Sequence, residues 1–125
     1  MPNNRKILNL VGGEMVAPVD GGYFDNEDPS TGQIYSEVPD SNEKDLDAAV
    51  AAAEKAAPVW RHMPAESRAR IMHKLADLMD ARQEEFVRAE CVDNGKPLSL
   101  CRNIDIPRGI ANIRFFADAG KELEG

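Results

Sequence analysis

The chain has 125 residues, with 15 Lys+Arg against 22 Asp+Glu and a formal net charge of −7. That length accommodates one domain, and 42% hydrophobic residues mark a globular chain rather than a disordered one. The acidic balance excludes the clustered cations that hold nucleic acid or anionic lipid non-specifically, so neither nucleic acid nor membrane is an expected partner.

The polar start Met1-Pro2-Asn3-Asn4-Arg5-Lys6 leads into a short apolar run over 7–11, broken by Asn9. It is too short for a signal-peptide core, and no segment approaches a membrane span. Ile7-Leu8-Asn9-Leu10-Val11 reads as a strand, Gly12-Gly13 as a two-residue hairpin turn and Glu14-Met15-Val16-Ala17 as its partner. A Pro/Gly/Asp-rich stretch covers 18–32. Within it Asp28-Pro29-Ser30-Thr31-Gly32 is a turn, with Pro29 preset for the second position. Ile34-Tyr35-Ser36-Glu37-Val38 alternates like a half-buried strand and stops at Pro39.

After Pro39 the period becomes helical. Ser41 is the expected N-cap, Glu43 and Asp45 complement the helix dipole, and Leu46, Val50, Ala53 and Ala57 make one stripe that Pro58 closes. The remaining positions of that helix are mostly alanine, so another backbone can approach it closely. A second helix runs from Pro64 to Asp93, about 45 Å at the usual rise. Its apolar face is Ile71, Leu75, Leu78, Met79, Phe86 and Ala89, and Glu66–Arg70 and Glu84–Arg88 are favourable i,i+4 pairs. Asn94-Gly95 stops it and Pro97 prevents its return. A third helix begins near Asp105 or Pro107 and carries Ile106, Ile110, Ile113 and Ala117 on one side. Phe115 and Phe116 do not both fit that stripe, so one of them faces another element or a missing partner. A helix of 45 Å outreaches a compact domain of this size, whose radius of gyration is about 14 Å. The chain therefore reads as part of something larger.

Catalytic and metal signatures are sparse. His62 and His73 read as solvated surface histidines, lacking a sequence-evident nucleophile or acid partner. Cys91, in the last turns of the long helix, reads as a small packing residue, and the two cysteines do not make a secreted disulfide framework. Cys101, beside Arg102, is the more thiolate-prone of the two, although packing is the simpler role for it as well. Two His and two Cys at these spacings match no zinc pattern, and neither a G-x-G-x-x-G nor a G-x-x-x-x-G-K-[ST] motif is present. Asp93 is locally odd, because a carboxylate at a helix C-terminus opposes the dipole by ~0.3–1 kcal/mol. It is a solvated acid softened by Lys96, a turn-forming pair with Asn94 or, with unpaired helix carbonyls, part of a hard-cation site.

Taken in order, Asp28-Pro29-Ser30-Thr31-Gly32, Asp45-Leu46-Asp47-Ala48-Ala49-Val50 with Trp60, the segment from Pro64 through Arg70, and Leu75-Ala76-Asp77-Leu78 resemble the start of an aldehyde dehydrogenase. Asp93-Asn94-Gly95-Lys96-Pro97, and Asp105-Ile106-Pro107-Arg108 on to Phe115-Phe116-Ala117, continue the resemblance over about the whole chain. Within the family, the set resembles the subgroup acting on semialdehydes of aromatic-ring breakdown, the hydroxymuconic and aminomuconic semialdehyde dehydrogenases. The resemblance implies an α/β fold, of which 1–125 is the N-terminal portion of the dinucleotide-binding domain. Residues 1–40 supply a hairpin and turn-rich strands, and 41–125 a helical layer of three helices.

The same resemblance implies oxidation of an aldehyde to a carboxylate with NAD or NADP in a parent enzyme that is a homo-oligomer. The family's nucleophile, general base, oxyanion donor and cofactor-binding residues all lie beyond Gly125. No catalytic or cofactor-binding residue is therefore assigned here, and neither Cys91 nor Cys101 matches the nucleophile motif. By itself the chain is expected to be inactive and to bind no cofactor. The resemblance further implies a monovalent cation, Na+ or K+, held by the Asp93 side chain and the backbone carbonyls of Asn26 and Glu27. The expected partner is the remainder of the parent dehydrogenase, in the cytoplasm. The alternative is a non-catalytic helical interaction module derived from that family.

Overall fold

The computed structural model describes residues 5–122. The readings of the start at Met1-Pro2-Asn3-Asn4 and of the stop after Gly125 lie outside them. The chain divides into two compact units, Met1–Arg61 and His62–Gly125.

In the first unit, β1 (Arg5–Lys6), β4 (Tyr23–Asp28) and β5 (Gln33–Pro39) form a three-stranded sheet in the order β1-β5-β4. β5 is central, parallel to β1 and antiparallel to β4. The strand read over 7–11 is divided: Ile7 still donates its N–H to the Glu37 carbonyl at 2.9 Å beside β5, whereas β2 (Asn9–Val11) pairs with β3 (Glu14–Val16). The Gly12-Gly13 turn between them stands as expected. Both glycines have positive φ, 62° and 89°, which suits the primed two-residue hairpin turns. β4 itself falls in the stretch read as turn and loop. Its sequence, Tyr-Phe-Asp-Asn-Glu-Asp, has little apolar alternation, and pairing with β5 rather than intrinsic preference makes it a strand.

The β4–β5 connection follows the sequence closely. Thr31 N–H donates to the Asp28 carbonyl at 3.1 Å, which places Pro29 second in the turn. The Asp28 carboxylate accepts from the Ser30 hydroxyl at 2.7 Å and the Ser30 N–H at 2.8 Å, and these two donors hold its pKa below the usual value.

α1 (Glu43–His62) differs from expectation at both ends. Its N-cap is Asn42 rather than Ser41: Asn42 Oδ1 accepts the Lys44 N–H at 2.9 Å, and Asp45 Oδ2 reaches back to the Asn42 N–H at 3.0 Å. Ser41 is instead engaged by the hairpin, its Oγ accepting from Asn9 Nδ2 at 2.8 Å. Pro58 lies inside the helix, because a proline removes one i→i−4 bond without forbidding continuation. The stripe from Leu46 to Ala57 does not form a buried face. Leu46 and Val50 are exposed, whereas Asp45 is buried and its Oδ1 accepts the Val19 N–H at 2.8 Å. The alanine positions do permit close approach: a Cβ on Gly12 would stand 3.8 Å from the Ala52 Cβ.

In the second unit, the single long helix is two helices, α2 (Ala65–Ala81) and α3 (Gln83–Asn94). The break falls at Arg82, with φ −117° and ψ 23°, whose N–H closes α2 on the Met79 carbonyl and whose guanidinium grips Glu85 at 2.7 Å. No large apolar residue occurs between Met79 and Phe86, so nothing in packing demands a continuous helix there. The length argument for a larger body therefore lapses. α3 ends as expected at Gly95, in the left-handed region with φ 72° and its N–H on the Cys91 carbonyl.

After Pro97 the chain is helical again: α4 (Leu98–Leu100), a π-helical turn (Cys101–Asp105) and α5 (Ile106–Glu122). α2 and α5 pack closely, with Ala69 and Ala76 buried on one and Ile110 and Ala117 on the other, each pair seven residues apart. Val87 of α3 and Cys101 are fully buried beside them in sequence-distant support. The expected α2 face is not the buried one: Ile71, Leu75 and Leu78 are all exposed. Small side chains let the two helices approach, and this won over the larger apolar set.

Candidate functional site

Asn26 and Glu27 sit where β4 and β5 lose register. Asn26 pairs with Ser36 but Glu27 pairs with Ile34, so Tyr35 is the extra residue of a bulge. A bulge bends a strand and interrupts its ladder, which re-aims the local carbonyls. The Asn26 amide donates to Tyr35 Oη at 2.9 Å, tying the bulge together. Opposite Asn26, the Ser36 hydroxyl is buried with no hydrogen-bond partner among the described residues.

Asp93 is exposed on the last turn of α3 and belongs to the second unit, whereas Asn26 and Glu27 belong to the first. The Lys96 ammonium lies 2.8 Å from Asp105 Oδ2, and that contact raises the lysine pKa. The Lys96 N–H goes to Asn94 Oδ1 at 2.9 Å, and the Cys91 thiol donates to the Lys96 carbonyl at 3.0 Å. The turn is thus held by its own neighbours, and the Asp93 carboxylate stays at a helix end rich in carbonyl oxygen. A carboxylate among helix-end carbonyls is hard-oxygen chemistry. Among the described residues, no group of three or more His, Cys, Asp and Glu side chains is placed to hold a metal ion.

The remaining candidates are placed clearly. Cys101 is fully buried, and burial pushes its thiol pKa up, with the nearby Cys91 sulfur adding to the effect. That corrects its reading as the more thiolate-prone cysteine: Arg102 turns instead to Glu84, at 2.8 and 3.1 Å. His73 is not simply solvated, because its Nε2 lies 2.9 Å from Asp118 Oδ1, which Lys121 also reaches at 2.9 Å. Close by in sequence, Arg114 bridges Asp77 at 2.8 Å and Asp80 at 3.4 Å. These pairs clasp α2 to α5. Sequence reading missed them because their partners stand 34 to 45 residues apart. The local Glu84–Arg88 pair was legible and forms at 3.2 Å. In place of the expected Glu66–Arg70 pair, Arg70 Nη2 donates to Ser67 Oγ at 2.8 Å.

Strands followed by helices define a segment of an α/β protein. The model of the aldehyde dehydrogenase family matches residues 16–125, and the chain belongs to that family. The 2-aminomuconic semialdehyde dehydrogenase of Danio rerio is 46% identical over 111 residues, which is 89% of this chain and 22% of the relative. The 2-hydroxymuconic semialdehyde dehydrogenase of Pseudomonas sp. (strain CF600) is 41% identical over 120 residues, 95% of this chain and 25% of the relative. Among solved structures, the NAD+ complex of an aldehyde dehydrogenase from Bacillus cereus superposes with a TM-score of 0.88 at 35% identity, covering 92% of this chain and 24% of that one. The chain thus spans about a quarter of the length of the relatives it matches. Among the described residues no helix is long and apolar enough to cross a membrane.

Proposed function

We propose that this chain is the N-terminal segment of the dinucleotide-binding domain of an NAD(P)-dependent semialdehyde dehydrogenase, a cytoplasmic homo-oligomer that oxidises an aldehyde to a carboxylate. The observation that carries the reading is the match to semialdehyde dehydrogenases along nearly the whole chain but only a quarter of theirs. Packing supports it. Among the described residues the fully buried side chains are small, Ala76, Val87 and Cys101, whereas Ile71, Leu75, Leu78, Phe115 and Phe116 are exposed. Large apolar side chains in that position are seats for further protein. The remainder of the dehydrogenase is the occupant this reading assigns to them.

In this reading the segment contributes scaffold and not chemistry. Aldehyde oxidation through a thioester needs an activated thiolate, and Cys101 is buried with its thiol pKa raised. NAD or NADP would supply the hydride acceptor in the parent enzyme, and this reading assigns the residues that would hold it to the remainder of that enzyme. Purified chain is expected to give no NADH signal with a muconic semialdehyde. Mixing it with a protein supplying the other three quarters of the enzyme is expected to restore one. NADH formed by the chain alone overturns the assignment.

The same reading gives Asp93, with the Asn26 and Glu27 carbonyls, a structural Na+ or K+. In the parent enzyme, potassium is expected to raise the thermal midpoint above that in choline, and Asp93→Asn to abolish the difference. Equal midpoints in the unsubstituted enzyme dismiss the cation.

A further inference from the structure

The two cysteines have no part in that reading, yet the fold brings them to one seam. Glu84, Val87 and Cys91 stand at i, i+3 and i+7 and share one face of α3. Glu84 on that face takes the guanidinium of Arg102, the residue after Cys101, and Val87 is fully buried. The π-helical turn that Cys101 opens packs against α3. From the other side, the Cys91 sulfur lies 3.0 Å from the Lys96 carbonyl oxygen, and the Cys101 N–H donates to the adjacent Pro97 carbonyl at 3.3 Å. Cys101 is therefore one helical turn beyond Pro97, with its Cα–Cβ bond tilted back toward that end. The Cys91 sulfur and the Cys101 backbone thus meet the same Lys96-Pro97 segment.

We propose that Cys91 and Cys101 are a reversible redox pair that closes into an intrachain disulfide on exposure to a hydroperoxide. The order of events follows from burial. Cys91 is half-buried and Cys101 is fully buried, so the oxidant meets Cys91 first. The Cys91 sulfur attacks the peroxide, the O–O bond breaks, and Cys91 becomes a sulfenic acid as the peroxide leaves as an alcohol, or as water from hydrogen peroxide. The Cys101 sulfur then attacks the sulfenic sulfur, and the hydroxyl departs with the Cys101 proton as water. Two thiols lose two electrons in total, and one peroxide gains them. Burial first, and then Cys91, pushes the Cys101 thiol up. The link would pin the end of α3, with its Gly95 turn, to the start of the π-helical turn.

Treating the reduced full chain with hydrogen peroxide, followed by thiol titration and intact mass, tests this. Both thiols are expected to vanish together with a loss of about 2 Da, and dithiothreitol is expected to restore them. Proteolysis is expected to release one peptide pair joined through Cys91 and Cys101. Oxygen added to Cys91 while Cys101 still titrates overturns the proposal, and so does a link between two chains. Because Cys101 is buried and its substitution risks the fold, Cys91→Ser is the deciding variant. It is expected to keep its remaining thiol at a peroxide dose that consumes both thiols of the unsubstituted chain, and equal loss refutes the pair.

Discussion

At the scale of single residues, Asp45 ties α1 to the segment before it, whereas Leu46 and Val50 of the same helix stay exposed. Asp45 is buried, closes the cap by accepting the Asn42 N–H at 3.0 Å, and takes the Val19 N–H at 2.8 Å from a segment 26 residues away. Asp45→Ala leaves two backbone donors without their acceptor, and each loss of this kind costs about 1–3 kcal/mol when the donor is kept from water. The expected outcome is a lower denaturation midpoint of the full chain, with Asp45→Asn recovering part of it through its single carbonyl oxygen. An unchanged midpoint in Asp45→Ala means that water replaces the carboxylate at no cost. The residue was legible as a first-turn acid, because dipole complementarity is a local rule. Its second partner was not, since Val19 comes from a loop whose path no period announces. Asp93 shows the reverse case: its oddness at a helix C-terminus was visible in the sequence, whereas the Lys96–Asp105 pair beside it, nine residues apart, was not.

At the scale of elements, the α2–α5 clasp carries a pH signature. Arg114 holds the Asp77 carboxyl below its ordinary value of 3.8, and Lys121 with His73 does the same for Asp118. A carboxyl whose folded pKa is depressed contributes stability that is fully present above the unfolded value and is lost as pH falls through the folded one. The thermal midpoint is therefore expected to fall below about pH 4 through these pairs. Asp77→Asn and Asp118→Asn are expected to lower it at neutral pH and flatten its acid slope. Both groups are exposed, so the effect is expected to be small and to shrink in high salt. An acid slope identical in the variants and the parent removes the clasp from the account. Sequence period placed α5 well, because Ile110 and Ala117 do face inward. It failed on α2, where the larger residues outvoted the alanines in the pattern but the alanines won the interface. The Arg82 break was invisible for a related reason: Arg is a good helix former, and only its grip on Glu85 reveals a start there.

At the scale of the whole molecule, the question is why so much apolar surface faces outward in a chain that is 30% charged. A self-contained domain places its Leu, Ile and Phe inside and covers them with charge. Here the Phe pair is the clearest exception: Phe115 and Phe116 are each 65% exposed, and their rings meet edge to face at 5.2 Å, away from the buried Ile110 and Ala117. The sequence showed that both could not join the α5 stripe, and in fact neither does. If these rings are a seat for the rest of the dehydrogenase, they impose opposite costs in the two states. In the chain alone they favour self-association, so replacing both by Ser is expected to shift size exclusion toward the monomer and leave the thermal midpoint of the monomer nearly unchanged. In the reconstituted enzyme the same double variant is expected to need a higher concentration of the complementary portion for half-maximal NADH formation, roughly tenfold or more for two apolar rings of this size. A stability loss as large as that of a core substitution, with association unaffected, makes the Phe pair part of this chain's own packing. Gain in solubility together with lost complementation identifies it as a surface that the remaining three quarters of the enzyme covers.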